Sequence, residues 1–228
     1  MESNSHIRKG GLLDTTPFAM SRSILPVIVA VWIGLVGIGF VAMLIYQHKP
    51  GQSSETAAHW PTTTHLPLDP ARCNLLVFLH PRCACSLASL NELARIQARC
   101  QDRLAIQILM YHPAGADADW FDSPIVDLAK QIPGAKRVLD QDGLEATRFG
   151  ATTSGQVILF APNGERVFTG GITHSRAHEG DNLGRQTVEN YVCRGEISVD
   201  HTKPFGCPLL ALEPKAPSEP RTPHDGVE

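Results

Sequence analysis

Two cysteines separated by a single residue, Cys83 and Cys85 in the run VFLHPRCACS, are the side chains best placed to do chemistry in this chain. The apolar stretch Asn74 to Leu79 predicts an interior strand, and Ala84 to Arg99 predicts an amphipathic helix with Leu87, Leu90, Leu93, Ala94 and Ile96 on one face. Cys83 then falls at a helix N-terminus, where unpaired backbone N–H groups and the positive end of the helix dipole favour a thiolate, and Arg82 adds a cation beside it. In a helical turn the Cα atoms of residues i and i+2 lie roughly 5.5 Å apart, within the range a disulfide tolerates. A ring that small is strained and easily reduced. The plain alternative is a pair of buried small apolar side chains, but a CxC between a strand and a helix also meets the criteria for reactive thiols.

The first chemistry these residues suggest is thiol–disulfide exchange. Cys83 attacks a disulfide sulfur and Cys85 resolves the mixed disulfide, with His80 and Arg82 tuning the thiolate and Ser86 hydrogen-bonding in the first helical turn. No cofactor is needed, and the partners are protein thiols or disulfides. His80 has a competing role, since a residue before Pro81 can serve the shape of the turn alone. The second chemistry is soft-metal binding or delivery: Cys83 and Cys85 with His80, His174 or His178 offer two sulfurs and a nitrogen suited to copper or zinc. Against it, THSRAHEGDN reads as a solvated loop entering the last helix with Asp181 as its N-cap, although a loop so rich in Gly, His and Arg could line the cleft near the cysteines. A thiol peroxidase passing through a Cys83 sulfenic acid ranks third.

The elements that must hold these residues follow from periodicity and punctuation. RLAIQILMY, from Arg103 to Tyr111, predicts a strand, and YHPAGADADWFDSP a loop. Ser123 as cap and Pro124 at the first position start a helix that runs to Gln131. KRVLD predicts a short strand, and Asp142 to Phe149 a helix ended by Gly150. Strands Gln156 to Phe160 and Arg166 to Thr169 are joined by a turn at Asn163-Gly164, and a last helix runs from about Asp181 to Tyr191. This order implies an α/β domain whose parallel strands are linked by crossovers, with an antiparallel hairpin at one end.

From Ile24 to Tyr46 stand 23 uncharged residues, which as a helix cover roughly 35 Å, enough for a bilayer core. The rival, a cleaved signal peptide, has a shorter apolar core and a small-residue cleavage site that is not evident here. Arg8, Lys9 and Arg22 precede the span while only Lys49 follows closely, which keeps the N-terminus in the cytoplasm and places the domain outside it, in a periplasm or the extracellular space. The implied location is the inner (cytoplasmic) membrane, crossed once. Gly34, Gly37 and Gly39 form no G-x-x-x-G there. The predicted organisation is a cytoplasmic segment at 1–23, the membrane helix at 24–46, a flexible spacer at 47–72, the α/β domain at 73–195 and an extension at 196–228, mostly disordered after 212. A formal charge of −3 without a basic stripe argues against a nucleic-acid partner. Of the other cysteines, Cys193 and Cys207 flank a short segment and make the more plausible structural disulfide, whereas Cys73 and Cys100 show no reason to pair.

With the cysteine pair at the end of the first core strand and the hairpin after the third crossover, the stretch from about Asn74 to Val192 resembles the thioredoxin superfamily. More narrowly, HPRCACS, GGITHSRAHEGDNLGR and FGCPL look like membrane-anchored, RedB-like thioredoxin-fold proteins of bacteria. The resemblance implies a central mixed sheet flanked by helices, with Cys83 in the attacking position. The usual resolving position holds Ser86, so C-x-x-C has become C-x-C-S. Cys85 then resolves, or Cys83 works alone, with Cys207 in KPFGCPL a third candidate. The proline that the superfamily places before the strand facing its active site is also missing, and Gly155 stands near that position, which leaves room for a metal.

Overall fold

The structure, a computed structural model, describes residues 24–210. The predictions for 1–23 and for the tail beyond 212 lie outside the described residues. The chain divides into two compact units, 1–45 and 46–228. Helix α1 (Ile24–Gln47) has a mean hydropathy of 2.7 over its most apolar window and no buried residue. By length and composition it can cross a membrane.

The second unit is built on a five-stranded mixed sheet in the order β3-β2-β1-β4-β5. Strands β1 (Cys73–Leu79), β2 (Leu104–His112) and β3 (Lys136–Gln141) run parallel, while β4 (Gln156–Phe160) and β5 (Arg166–Gly171) continue antiparallel from β1. Helices α2 (Ser86–Cys100), α3 (Pro124–Gln131), α4 (Leu144–Phe149) and α5 (Leu183–Arg194) complete the domain. This is the thioredoxin-like fold expected from the order of elements. The punctuation signals hold: the Ser123 hydroxyl accepts from the Val126 N–H at 3.4 Å, and α4 ends at Gly150. The cap of α5 is Asn182 rather than Asp181. Its side-chain oxygen accepts from the Arg185 N–H at 2.8 Å, while Asp181 is left free to pair with the Arg185 guanidinium.

β1 is the central strand, and its residues after Cys73 are all buried because both its faces are covered. Leu75, Val77 and Leu79 join the core under α2, α3 and α5; Leu76 and Phe78 join a second core on the opposite face. Of the helices, only six-residue α4 contributes to that second core, too little to cover Leu76, Phe78, Ile158 and Phe160, all of which are fully buried. Irregular chain supplies the remainder, which corrects the expectation of a flexible spacer at 47–72. Trp60 packs edge-on against Phe149 and Phe160 at 5.2 and 5.1 Å, and Leu66 is buried beside them. The Ala57 N–H donates to the Phe149 carbonyl and the Trp60 N–H to the Gly164 carbonyl. From the other end, the chain after α5 pairs with edge strand β5 at Thr169 and delivers Leu209 to the same core.

Helices α2 and α5 are held together by buried charge. Glu92, fully buried on α2, accepts from the Gly180 N–H at 2.8 Å and pairs with Arg185 at 2.7 Å, and Arg185 also reaches Glu189 and Asp181. Removing Glu92 takes from the Gly180 N–H its acceptor and from Arg185 its fully buried carboxylate, leaving the guanidinium to Glu189 and the exposed Asp181. Glu92→Ala is expected to cost about 3 kcal/mol, read as a lowered midpoint in urea unfolding of the purified chain; a change below about 0.5 kcal/mol would contradict the network's structural role.

Candidate active site

Strand β1 ends at Leu79, and the chain turns through His80-Pro81-Arg82 to Cys83 before α2 begins at Ser86. The Cys83 N–H donates to the His80 carbonyl at 3.0 Å, and the Ser86 N–H to the Cys83 carbonyl at 2.9 Å. These two turn hydrogen bonds set the sulfur just ahead of the helix. Cys83 is 2% exposed, so a charge on it depends on protein donors rather than water.

Those donors come from three segments. Burial pushes the Cys83 thiol up, but hydrogen bonds from the Cys207 thiol, the Cys207 backbone N–H, the Ser86 hydroxyl and the Cys85 backbone N–H outweigh it and bring Cys83 below its ordinary 9.0. Ser86 has one proton to give. Spent on Cys83, it leaves the Ser86 oxygen to accept from Ser154 at 2.7 Å, and the Ser154 oxygen in turn to accept from the His80 backbone N–H at 2.7 Å. With the Ser86 proton on Cys83, the hydroxyls align from the His80 N–H through Ser154 and Ser86 to the sulfur.

Cys207 arrives on a strap after α5. The Ser154 N–H donates to the Cys207 carbonyl at 2.9 Å, the Leu209 N–H donates to the Thr152 carbonyl at 2.8 Å, and Thr153 bridges Pro208 antiparallel. Gly206 is required by closeness: a Cβ there would stand 1.9 Å from the Ser154 carbonyl oxygen. Gly155, at φ +88°, lies in the left-handed region beside this strap and donates its N–H to the Phe78 carbonyl.

The two other thiols keep their protons while Cys83 is charged. Burial, the hydrogen bond to Cys83 and the charges of Cys83 and Cys85 push Cys207 up to about 12, against Arg176. Burial and the Cys83 charge push Cys85 up, with Arg176 opposing, and the Cys85 thiol makes a weaker hydrogen bond to Cys83. Arg176 is therefore the cation of the site. Its Nη1 donates to the Gly206 carbonyl at 2.7 Å and its Nε to the Lys49 carbonyl at 3.1 Å, so it ties the strap to the backbone at Lys49.

The sequence places the cation elsewhere. Arg82 pairs with Asp119 at 2.9 Å and lies over the Trp120 ring at 4.6 Å, and it is not among the groups that lower Cys83. The His80 ring stacks on Tyr111 and meets Trp120 edge-on, while its Nδ1 accepts from the Arg82 N–H at 3.1 Å. Burial, then the Arg82 charge, hold His80 below its ordinary range, so it is a neutral ring at pH 7. The turn thus uses the backbone of His80, and its ring belongs to an aromatic rim with Tyr111 and Trp120. Ser86 and Cys85 stand beside Cys83. His174 faces His48 edge-on at 6.4 Å, and His178 Nδ1 donates to the Arg176 carbonyl at 3.2 Å. Among the described residues no three His, Cys, Asp or Glu side chains gather as a metal site. The expected Cys193–Cys207 pairing is also corrected, because Cys207 hydrogen-bonds Cys83 and the Cys193 sulfur lies 3.0 Å from that of Cys100.

Reasoning from sequence missed Ser154, which stands in a polar turn without periodicity, and Arg176, whose loop was picked out but for its histidines.

Comparison with solved structures is consistent with this architecture. The domain is similar to a hypothetical protein from Sinorhizobium meliloti, at 15% identity and a TM-score of 0.52 over 71% of this chain and 93% of that one. It is similar also to an uncharacterized conserved protein from Geobacillus kaustophilus, at 14% identity and a TM-score of 0.53 over 74% and 94%. Both likenesses concern the fold. No family model and no curated protein matches the chain.

Two outcomes follow for the titration of the site. Cys207→Ala removes the group that does most to lower Cys83, so the Cys83 pKa is expected to rise, as read from a shift of the pH dependence of its alkylation to higher pH; an unchanged profile would detach Cys207 from the thiolate. The second concerns stability under reducing conditions. Folded Cys207 and Cys100 keep their protons up to about 12, whereas an ordinary thiol releases at 9.0. Between those values the unfolded chain binds fewer protons, so stability falls as pH rises. The urea midpoint is expected to decline from pH 9 upward, less steeply in Cys207→Ala.

Proposed function

We propose that this protein is a membrane-anchored thiol:disulfide oxidoreductase whose domain lies outside the cytoplasm, with Cys83 as nucleophile and Cys207 as the first resolving thiol. The observations that carry the reading are the place of Cys83, 2% exposed in the turn between β1 and α2, and the strap, pinned across residues 152–154, that brings Cys207 to it, so that Cys207 lowers Cys83 and Cys83 raises Cys207. The apolar helix α1 supplies the anchor, and Arg8, Lys9 and Arg22 ahead of it favour a cytoplasmic N-terminus.

In the reaction the Cys83 thiolate attacks one sulfur of a partner disulfide, forming a mixed disulfide and releasing the partner's other sulfur as a thiolate. Neutralising Cys83 removes two of the influences that hold the Cys207 proton, its hydrogen bond and its charge. Cys207 then releases its proton to the departing thiolate and attacks the Cys83 sulfur. The products are a Cys83–Cys207 disulfide and a reduced partner; the reverse sequence oxidises a dithiol. Cys85 is held less favourably for this step, since a three-residue ring through its helical backbone (φ −63°, ψ −24°) is strained, whereas the strap approaches from a distant part of the chain.

The test is to react the full chain in detergent micelles with a peptide disulfide, quench with alkylating agent at intervals and map each cysteine. Cys83→Ser is expected to lower the exchange rate at least 100-fold. Cys207→Ala is expected to accumulate the Cys83 mixed disulfide, with resolution slowed about tenfold or more, and Gly206→Ala to do the same because its methyl group unseats the strap. Cys85→Ala should resolve at close to the wild-type rate. If Cys85→Ala accumulates the intermediate instead, Cys85 resolves; if wild-type protein never joins to the peptide through Cys83, exchange is not its chemistry.

A further inference from the structure

We propose that Cys100 and Cys193 form a structural disulfide that staples the C-terminal end of α2 to that of α5. Cys100 is the last residue of α2, and Cys193 stands one position before the end of α5. Their sulfurs lie 3.0 Å apart, about 1 Å from the ~2.05 Å bond that would join them. The approach is not an accident of two loose side chains. Arg99 pairs with Glu189 at 2.7 Å one residue before Cys100, Arg103 donates to the Cys193 carbonyl at 2.8 Å just after it, and the Glu92–Arg185 pair fixes the same two helices farther back. The backbones that carry the sulfurs are held in register before any bond forms.

The two thiols differ in access. Cys100 is 3% exposed, whereas Cys193 is only half-buried. An incoming disulfide reaches Cys193, whose thiolate forms a mixed disulfide and expels one thiolate of the oxidant. Cys100 then gives up its proton and attacks the Cys193 sulfur, and the second thiolate leaves. One oxidant disulfide, such as glutathione disulfide, becomes two thiols as two protein thiols become one disulfide. Reduced, Cys100 keeps its proton well into the alkaline range, pushed up to about 12 first by burial, then by the hydrogen bond and charge of Cys193 and by the charge of Glu189. A buried thiol of that kind serves poorly toward partners in solution or as a metal ligand; once Cys193 is a neutral mixed disulfide, its hydrogen bond and charge no longer hold the Cys100 proton, and Cys100 acts only on that adjacent sulfur, as one end of a cross-link.

The pair is separate from the exchange site. The fifteen residues of α2 span roughly 22 Å, which places Cys100 at the end of the helix remote from Cys83. No thiol of one pair reaches the other, so the staple passes no electrons to the site and braces the helix that the site opens on. It joins residues 93 apart in sequence, a closure that restricts the unfolded chain far more than a local loop.

The test needs no variant. The full chain in detergent micelles is equilibrated with mixtures of glutathione and glutathione disulfide, quenched with an alkylating agent under native conditions, digested and mapped. The expected result is a Cys100–Cys193 linked peptide that persists in mixtures reducing enough to free Cys83 and Cys207, because a structural disulfide sits at a lower potential than an exchange pair. The Tm of the linked form should exceed that of the fully reduced form by about 5–15 °C. The inference is overturned if both sulfurs are alkylated after equilibration with excess glutathione disulfide, or if either is found joined to Cys73. The same digest reports Cys83 and Cys207 on other peptides, so failure of the staple and failure of the exchange reading are told apart in one experiment.

Discussion

A negative charge on a sulfur that is 2% exposed is the condition around which the site is arranged. Water cannot solvate Cys83, and the interior offers nothing unless donors are brought to it. The turn that precedes α2 brings the Cys85 N–H, the Ser86 hydroxyl comes with the first residue of the helix, and the strap adds both the N–H and the thiol of Cys207. Each donor is itself held. Ser86 is oriented by Ser154, Ser154 by the His80 backbone, and the strap by its pairing with residues 152–154. The chain before β4 therefore serves twice, as one partner of the strap and as the end of the hydroxyl relay.

The need for a strap has the same origin as the packing of residues 47–72. A five-stranded sheet with α2, α3 and α5 against one face and only the short α4 on the other has too little helix to bury both. Leu66 and Trp60 from before the sheet, and Leu209 from after α5, close the second face. Once Leu209 is buried there, Cys207 two residues earlier is committed to a path across Thr152–Ser154, and Gly206 is the residue that lets the backbone pass the Ser154 carbonyl. Core packing on one face of β1 thus positions a sulfur at the end of that strand.

What the sequence made legible is what repeats or caps. The buried run of β1, the apolar face of α2, Ser123-Pro124 before α3, Gly150 after α4 and Asn163-Gly164 between β4 and β5 each have a local physical signature, and each element stands within a residue or two of its predicted bounds. The position of Cys83 was legible for the same reason, since a strand followed by a helix marks the turn that holds it. The irregular covers were not, because a coil that buries Trp60 or Leu209 has no period. Ser154 reaches Ser86, and Arg176 reaches Cys85, only through tertiary approach. Arg82 illustrates the converse. Beside Cys83 in sequence, it pairs with Asp119 and lies over Trp120, because the turn that aims the sulfur inward leaves that side chain half-exposed.

In the exchange proposed above, the arrangement also orders the chemistry by charge. With Cys83 ionised, the adjacent negative charge raises both Cys207 and Cys85, and a protonated thiol is a poor nucleophile. Only one sulfur can act at this stage. Conversion of Cys83 to a neutral mixed disulfide withdraws that charge and frees the hydrogen bond that held the Cys207 proton, while Arg176 remains in place and favours the next thiolate. The group suppressed during attack is thereby released for resolution, without any movement of the cation. In the reverse direction, ionisation of Cys83 on reduction draws the proton back onto Cys207, which stabilises the leaving thiolate as it forms. Because the donors to Cys83 also set how well it leaves, the balance between oxidising and reducing a partner is governed by the same few hydrogen bonds, the strap's among them.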